Sequence, residues 1–279
     1  MAATREINLY DPQTLYRHWE EEQWNPFAID LATDREQWLE LGGDDRGLIY
    51  WALASLMVAE ERITTKFSGL VGAYGSEEEA TFLATQQVDE ARHMQFYARF
   101  QDEVIGDPAA IAEHVQRSRE QLSPAFAKLF DEALVQAHER LVADPGDAAA
   151  KVEFVTLYHL VIEATLGLTA FNFITRYLER EGLLPGFVEG YSRIHHDEQR
   201  HIGYGTWFLR DAVRSHPAHA ETLRATLRRL LPAVAESLTP PEREGTDWDA
   251  LGASGEEIRE FALGGLTRRL KIIGVSLEG

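Results

Sequence analysis

The 279-residue chain carries 27 Lys and Arg against 46 Asp and Glu, a formal charge of −19, with 44% hydrophobic and 26% charged residues. That balance fits a globular chain with a sizeable core, and its negative field disfavours nucleic acid or an anionic membrane surface as a partner. Ten His and no Cys exclude disulfides, thiolate metal sites, iron–sulfur clusters and thiol catalysis, so any metal must be held by imidazole and carboxylate.

Met1 to Gln13 is charged and lacks an apolar stretch, so it reads as neither a secretory signal nor a transit peptide, and a cytoplasmic location is the default expectation. Helix punctuation follows. Thr33 with Glu36 and Ser76 with Glu79 have the capping-box spacing, while Gly42-Gly43, Gly75, Gly182 and Pro217 mark stops. The pattern predicts short helices over 11–23 and 34–41, then long ones over 45–73 and 77–105. Shorter helices over 109–121 and 124–142 precede long ones over 147–181 and 186–215, with two more over 218–237 and 255–273. The four long segments make two hairpins, turning at Tyr74-Gly75 and at Gly182 to Pro185. The expected fold is all-α, a four-helix bundle core with additional helices and a long crossover, in one domain over 1–279.

Phe154 to Thr175 is 22 residues long with a single charge, Glu163, which is long enough to span a bilayer. A carboxylate at its middle, with Tyr158, His159 and Asn172 nearby, is costly in lipid. The expectation is a helix buried in protein, with no membrane span.

The chemistry lies in a repeated pattern. Glu90 precedes His93 by three residues in Asp89-Glu90-Ala91-Arg92-His93, and Glu198 precedes His201 in Asp197-Glu198-Gln199-Arg200-His201. That spacing puts each pair on one helix face. Each pair follows a Glu in an apolar stretch of the preceding long helix: Glu60 lies 30 residues before Glu90, and Glu163 lies 35 before Glu198. Two long hairpins therefore bring four Glu and two His to similar height. This is the ligand set of ferritin-like dinuclear carboxylate proteins. Two divalent ions would balance four carboxylates, whereas four buried carboxylates alone would have to take up protons. The alternative is that Glu60 and Glu163 pair with internal Arg and the His residues are core. Glu61 sits about 100° round the helix from Glu60, and Leu56, Met57 and Ala59 lead the apolar face to Glu60. Asp89 and Asp197 are candidates to accept from the His rings or to be surface acids.

On these residues the chain resembles the ribonucleotide reductase small-subunit superfamily, which is ferritin-like, over nearly its whole length. The segment Trp24-Asn25-Pro26-Phe27-Ala28-Ile29-Asp30 is similar to that family's opening helix, and the resemblance implies a hydrogen-bonded chain from Trp24 through Asp197 to His93. The likeness is closer to the ligand-binding oxidases, on Glu60-Glu61-Arg62-Ile63-Thr64, on Tyr158 to Glu163 and on Arg268 to Gly274. It implies Glu60, Glu90 and His93 on a first metal and Glu163, Glu198 and His201 on a second. The metals would be manganese and iron, with di-iron as the alternative. It further implies reaction with dioxygen, an apolar or long-chain fatty-acid ligand, a homodimer, and an ether cross-link between Tyr158 and the side chain at 63. Family members carry Val there; Ile63 departs from that and keeps the tertiary β-carbon. Gly167, Ala170 and Gly205 could leave room for the ligand or permit close helix packing. Tyr97, four residues after His93, stands where reductase subunits keep a radical Tyr, so a radical-generating reductase subunit is the alternative function. Against that alternative, Tyr204 is the last Tyr in the sequence, and the resemblance expects one in a reductase tail.

Overall fold

The computed structural model describes residues 8–106, 111–120, 122–238 and 252–277; most of the segment Met1 to Gln13 lies outside them. The fold is all-α: helices account for 83% of the described residues, and no strand occurs among them. Helix α1 (Pro12–Glu21) starts behind Asp11, whose carboxylate accepts from Thr14 N at 2.8 Å, and α2 spans Ala32–Glu40. Thr33 does not cap α2. The chain enters through Leu31, and Asp30 Oδ1 accepts from Ala32 N at 3.0 Å. A full capping box forms instead at Ser254 and Glu257, opening α13 (Gly255–Ile273).

The expected 45–73 helix is two helices, α3 (Gly43–Lys66) and α4 (Ser68–Gly72). At the break His138 Nδ1 lies 2.8 Å from the Lys66 carbonyl, and Gly69 lets that ring approach closely, since a Cβ there would lie 2.8 Å from it. Helix α5 (Glu77–Phe100) runs on through a π-helical turn, Gln101–Ile105, and ends at Gly106 with φ +76°. The crossover is α6 (Ile111–Arg119), α7 (Pro124–Ala127), a π-turn Lys128–Ala133, and α8 (Leu134–Ala143).

The second hairpin holds the largest departure from a regular bundle. Helix α9 (Ala148–Val155) passes into a twelve-residue π-helix, Thr156–Gly167, before α10 (Leu168–Glu181). Leu168 N bonds back to the Glu163 carbonyl, and Thr165 Oγ1 donates to the Leu160 carbonyl at 2.6 Å, both five residues apart. In an α-helix residues five apart diverge by about 140°; the wider π-turn brings them toward one face. Tyr158 and Glu163 are such a pair, and both point into the bundle. The Ala148–Glu181 run is long and apolar enough to cross a membrane, but 72% of its most apolar window is buried inside the protein.

Helix α11 (Pro185–Ser215) is seated by α2. Asp34 accepts from Gly186 N and Phe187 N at 2.8 and 2.7 Å, and Gln37 bonds Leu184 N and the Gly182 carbonyl. These bonds hold the buried Leu184 at φ +50°. Lys151 and Tyr204 both bond Glu79, at 2.8 and 2.6 Å, tying α9 and α11 to α5. Helix α12 (His219–Ser237) packs against the π-segment, as does α13. Two apolar clusters fill the interior, one around Phe67, Phe154 and Leu160 and one around Phe96, Phe100 and Phe187.

Of the small residues expected to leave room for a ligand, Gly205 instead permits helix packing: a Cβ there would lie 2.2 Å from His159 Cβ. Gly205→Ala should therefore cost about 1–3 kcal/mol through overpacking, seen as a lower midpoint of denaturant unfolding. Gly203→Ala, on the same helix with 3.8 Å to its nearest neighbour, should be neutral or stabilising by up to about 1 kcal/mol.

Candidate metal centre

Four helical segments deliver six side chains to one place. Glu60 comes from α3, Glu90 and His93 from α5, Glu163 from the π-segment, and Glu198 and His201 from α11. Both imidazoles are fully buried, and Glu198 is the most exposed of the set at 16%. His93 Nδ1 faces Glu60, Glu90 and Glu198 at 3.7, 3.4 and 3.6 Å. His201 Nδ1 faces Glu90, Glu163 and Glu198 at 3.3, 3.3 and 3.7 Å. The two threes expected from the sequence thus become two overlapping fours, with one oxygen of Glu90 and one of Glu198 turned toward each imidazole. Each four has its candidate ligand atoms within 4.8 Å of one another.

Six of the inward-facing atoms are unspent. Glu60 Oε2, Glu90 Oε2, Glu163 Oε2, Glu198 Oε2 and both His Nδ1 atoms are buried without a hydrogen-bond partner. No Arg or Lys pairs with Glu60 or Glu163 among the described residues. Oxygen and imidazole donors aimed at a common space, with lone pairs unspent, fit a pair of divalent transition metals. Glu61 lies outside this group, beside Arg119 at 3.3 Å.

Without metal the site must hold protons. Burial drives the Glu60 carboxyl up to about 8. Burial also pushes Glu163 and Glu198 up, reinforced by the charge of Glu198 on the first and of Glu90 on the second. Glu90 goes the other way: although burial resists, the adjoining His201 and His93 imidazoles hold it well below its usual range. Both imidazoles are held well above theirs against the cost of burial, His93 by the charge of Glu60 and His201 by its bond with Asp89.

The outward ring nitrogens are held by crossed partners. Asp197 Oδ2 lies 3.1 Å from His93 Nε2 and accepts from Trp24 Nε1 at 2.7 Å. Asp89 Oδ2 lies 3.2 Å from His201 Nε2, and Asp89 Oδ1 accepts from Trp19 Nε1 at 2.9 Å. Each Asp therefore serves the His of the opposite helix. Arg92 donates to Asp89 at 2.7 Å, and Arg200 donates to both Asp89 and Asp197. The two Arg offset the charge of the buried carboxylates, and the bonds to the Asp side chains fix both ring orientations. Sequence reading missed Trp19, Arg92 and Arg200. The repeated Asp-Glu-x-Arg-His spacing was the available signal for the two Arg.

Tyr158 is fully buried and its hydroxyl donates to Glu90. Ile63 is buried in the same apolar cluster. Behind Glu163, Gln86 Nε2 donates to Glu163 Oε1 at 3.2 Å and lies 3.2 Å from His159 Nε2. A cavity of about 200 Å³ opens from the α3 side of the centre, reaching Glu60, Glu163, Glu198, Ile63 and Tyr97. Its walls include Leu56, Ile162, Leu166 and Ile174, with Gly167 and Ala170 among the small residues.

Known proteins share this architecture. Solved structures of R2-like ligand-binding oxidase variants with an aerobically reconstituted Mn/Fe cofactor superpose at TM-scores of 0.82 and 0.85, with 23% identity over 96% of this chain and 94% of theirs. A variant with an anaerobically reconstituted Mn/Fe cofactor gives a TM-score of 0.82 over the same shares. At that identity the likeness establishes the fold. The family described as ribonucleotide reductase, small chain, matches residues 5–237, and the chain belongs to that family.

Proposed function

We propose that this protein is an oxygen-activating oxidase with a dinuclear centre, manganese and iron or two irons, held by Glu60, Glu90, His93, Glu163, Glu198 and His201. The observation that carries this reading is the set of six buried donors without partners, facing one space beside an apolar cavity. Held there, the reduced metals would supply the electrons that reduce dioxygen. The protein's own part is placement. Asp89 and Asp197 hold the imidazoles with Nδ1 turned inward, and the apolar walls keep bulk water from the centre. The cavity is of a kind that takes an acyl chain, with the carboxylate of a fatty-acid-like ligand at the metals. The R2-like oxidases it resembles are named as ligand-binding and carry Mn/Fe.

Tyr158 and Ile63 are the residues we assign to a self-oxidation. The Tyr158 O–H and the Ile63 Cβ–H each give up one hydrogen, an O–C bond forms between them, and dioxygen takes the two electrons and two protons. A second reading, a radical-generating reductase subunit, is favoured by one feature, Tyr97 standing four residues after His93. Its Tyr97 hydroxyl is buried beside the centre with no partner.

Metal analysis and a tryptic digest after aerobic reconstitution separate these readings. The oxidase reading predicts bound manganese or iron and a fragment joining Ile63–Lys66 to Val152–Arg176, two hydrogens lighter than the sum. Tyr158→Phe should abolish that fragment. Loss of all metal binding contradicts both readings, and a linked fragment surviving in Tyr158→Phe contradicts the assignment of Tyr158.

The pH dependence of stability gives a further expectation. Glu60 is raised from 4.5 to about 8 in the fold, so the folded metal-free protein holds a proton that the unfolded chain releases. Stability should therefore fall as pH rises from about 4.5 through 8. Raised His93 and His201 act in the same direction above their ordinary 6.5. Denaturant midpoints of metal-free protein should drop across that window, and metal-loaded protein should show a much flatter profile. A flat metal-free profile would contradict the account of the buried acids.

A further inference from the structure

The cavity beside Glu60 is apolar along most of its wall, yet three polar atoms of residues lining it have nothing to bond. Tyr97 Oη, Tyr191 Oη and His195 Nδ1 are each buried without a hydrogen-bond partner. The three residues sit together. Tyr97 and Tyr191 have ring centroids 6.5 Å apart, and Phe171 meets Tyr191 at 5.2 Å and stacks on His195 at 3.7 Å. Tyr191 and His195 are four residues apart on α11 and so share a face. Buried polar groups are ordinarily satisfied, and a cluster of three that is not calls for a partner outside the chain.

The chemistry of that partner follows from the donors. Both hydroxyls can donate, and burial keeps them un-ionised. The Gln199 amide nitrogen lies 3.3 Å from His195 Nε2. With that amide donating, Nε2 accepts and the ring proton sits on Nδ1, the unpartnered atom. The cluster thus presents three donors. The carboxylates beside it are assigned to metal, so the missing partner is an acceptor oxygen. Its place along the cavity also follows. At about 1.5 Å per residue, His195 and Tyr191 lie roughly 4.5 and 10 Å along α11 from Glu198, so a ligand with its carboxylate at the metals passes the donors early.

We propose, resting on the acyl-ligand reading above, that Tyr97, Tyr191 and His195 form a subsite for a hydroxyl or carbonyl oxygen near the head-group end of the ligand. The preferred ligand is then an oxygenated acyl acid rather than a plain hydrocarbon chain. Pockets built with buried hydrogen-bonding groups discriminate strongly against analogues that leave those groups bare.

The test is a titration of metal-loaded, delipidated protein with hexadecanoate, 3-hydroxyhexadecanoate and 16-hydroxyhexadecanoate, followed by tryptophan fluorescence, Trp51 being part of the cavity wall. The 3-hydroxy acid should bind about tenfold or more tighter than either of the others. In Tyr97→Phe/Tyr191→Phe that ratio should collapse to about one; damage to the fold would instead weaken all three acids together and leave the ratio standing. Equal affinities in the unsubstituted protein, as expected if water alone satisfies the donors, or a ratio that survives the double substitution, would overturn the subsite. Binding of none of the three would overturn the acyl-ligand reading itself.

Discussion

Four carboxyl groups and two imidazoles buried within reach of one another are the constraint around which this molecule is built. Glu60, Glu90, Glu163 and Glu198 cannot all be ionised in that space without a compensating charge. Protons supply part of it in the metal-free chain, which is why Glu60 is raised to about 8 and both imidazoles are held in their charged form. Two divalent ions would supply it fully, +4 against −4. The six orphaned donor atoms and the titration behaviour of their groups are therefore two expressions of the same electrostatic problem.

Much of the surrounding structure keeps those six groups in place. The crossed bonds from Asp89 and Asp197 leave each His one orientation, and Arg92 and Arg200 pair with the two aspartates. Trp19 and Trp24 close that layer from opposite Asp residues. On the other side, twelve residues of π-helix turn Tyr158 and Glu163 inward together; π-geometry is rare and is found frequently at functional sites. Anchoring of α11 by Asp34 and Gln37 fixes the height of Glu198 and His201.

What was legible in the sequence was what local spacing determines. Two Glu-x-x-His pairs declare themselves because three residues is nearly one helical turn, and Glu60 could be chosen over Glu61 from the apolar face leading to it. Helix limits at Gly75, Gly182 and Pro217 were readable for the same reason. What was not legible depends on contacts between distant segments. Thr156–Gly167 has no composition that marks it as π rather than α; its widened turns fit the packing of α11, α12 and α13 around it. The sharing of Glu90 and Glu198 between two imidazoles needs the bundle's third dimension. Trp19 has the same standing as Trp24, yet nothing in its neighbourhood along the chain points to Asp89. The donors of Tyr97, Tyr191 and His195 read as core aromatics until their polar atoms are found without partners.

The central claim is that all six side chains would hold one dinuclear site, with Glu90 and Glu198, which face both imidazoles, belonging to both halves of it. Anomalous diffraction from crystals of protein loaded with manganese and iron, recorded on either side of each metal's absorption edge, tests it most directly. The account predicts two peaks, one at His93 Nδ1 with Glu60 and one at His201 Nδ1 with Glu163, both in contact with Glu90 and Glu198. A single peak, or metals bound away from these residues, would contradict it.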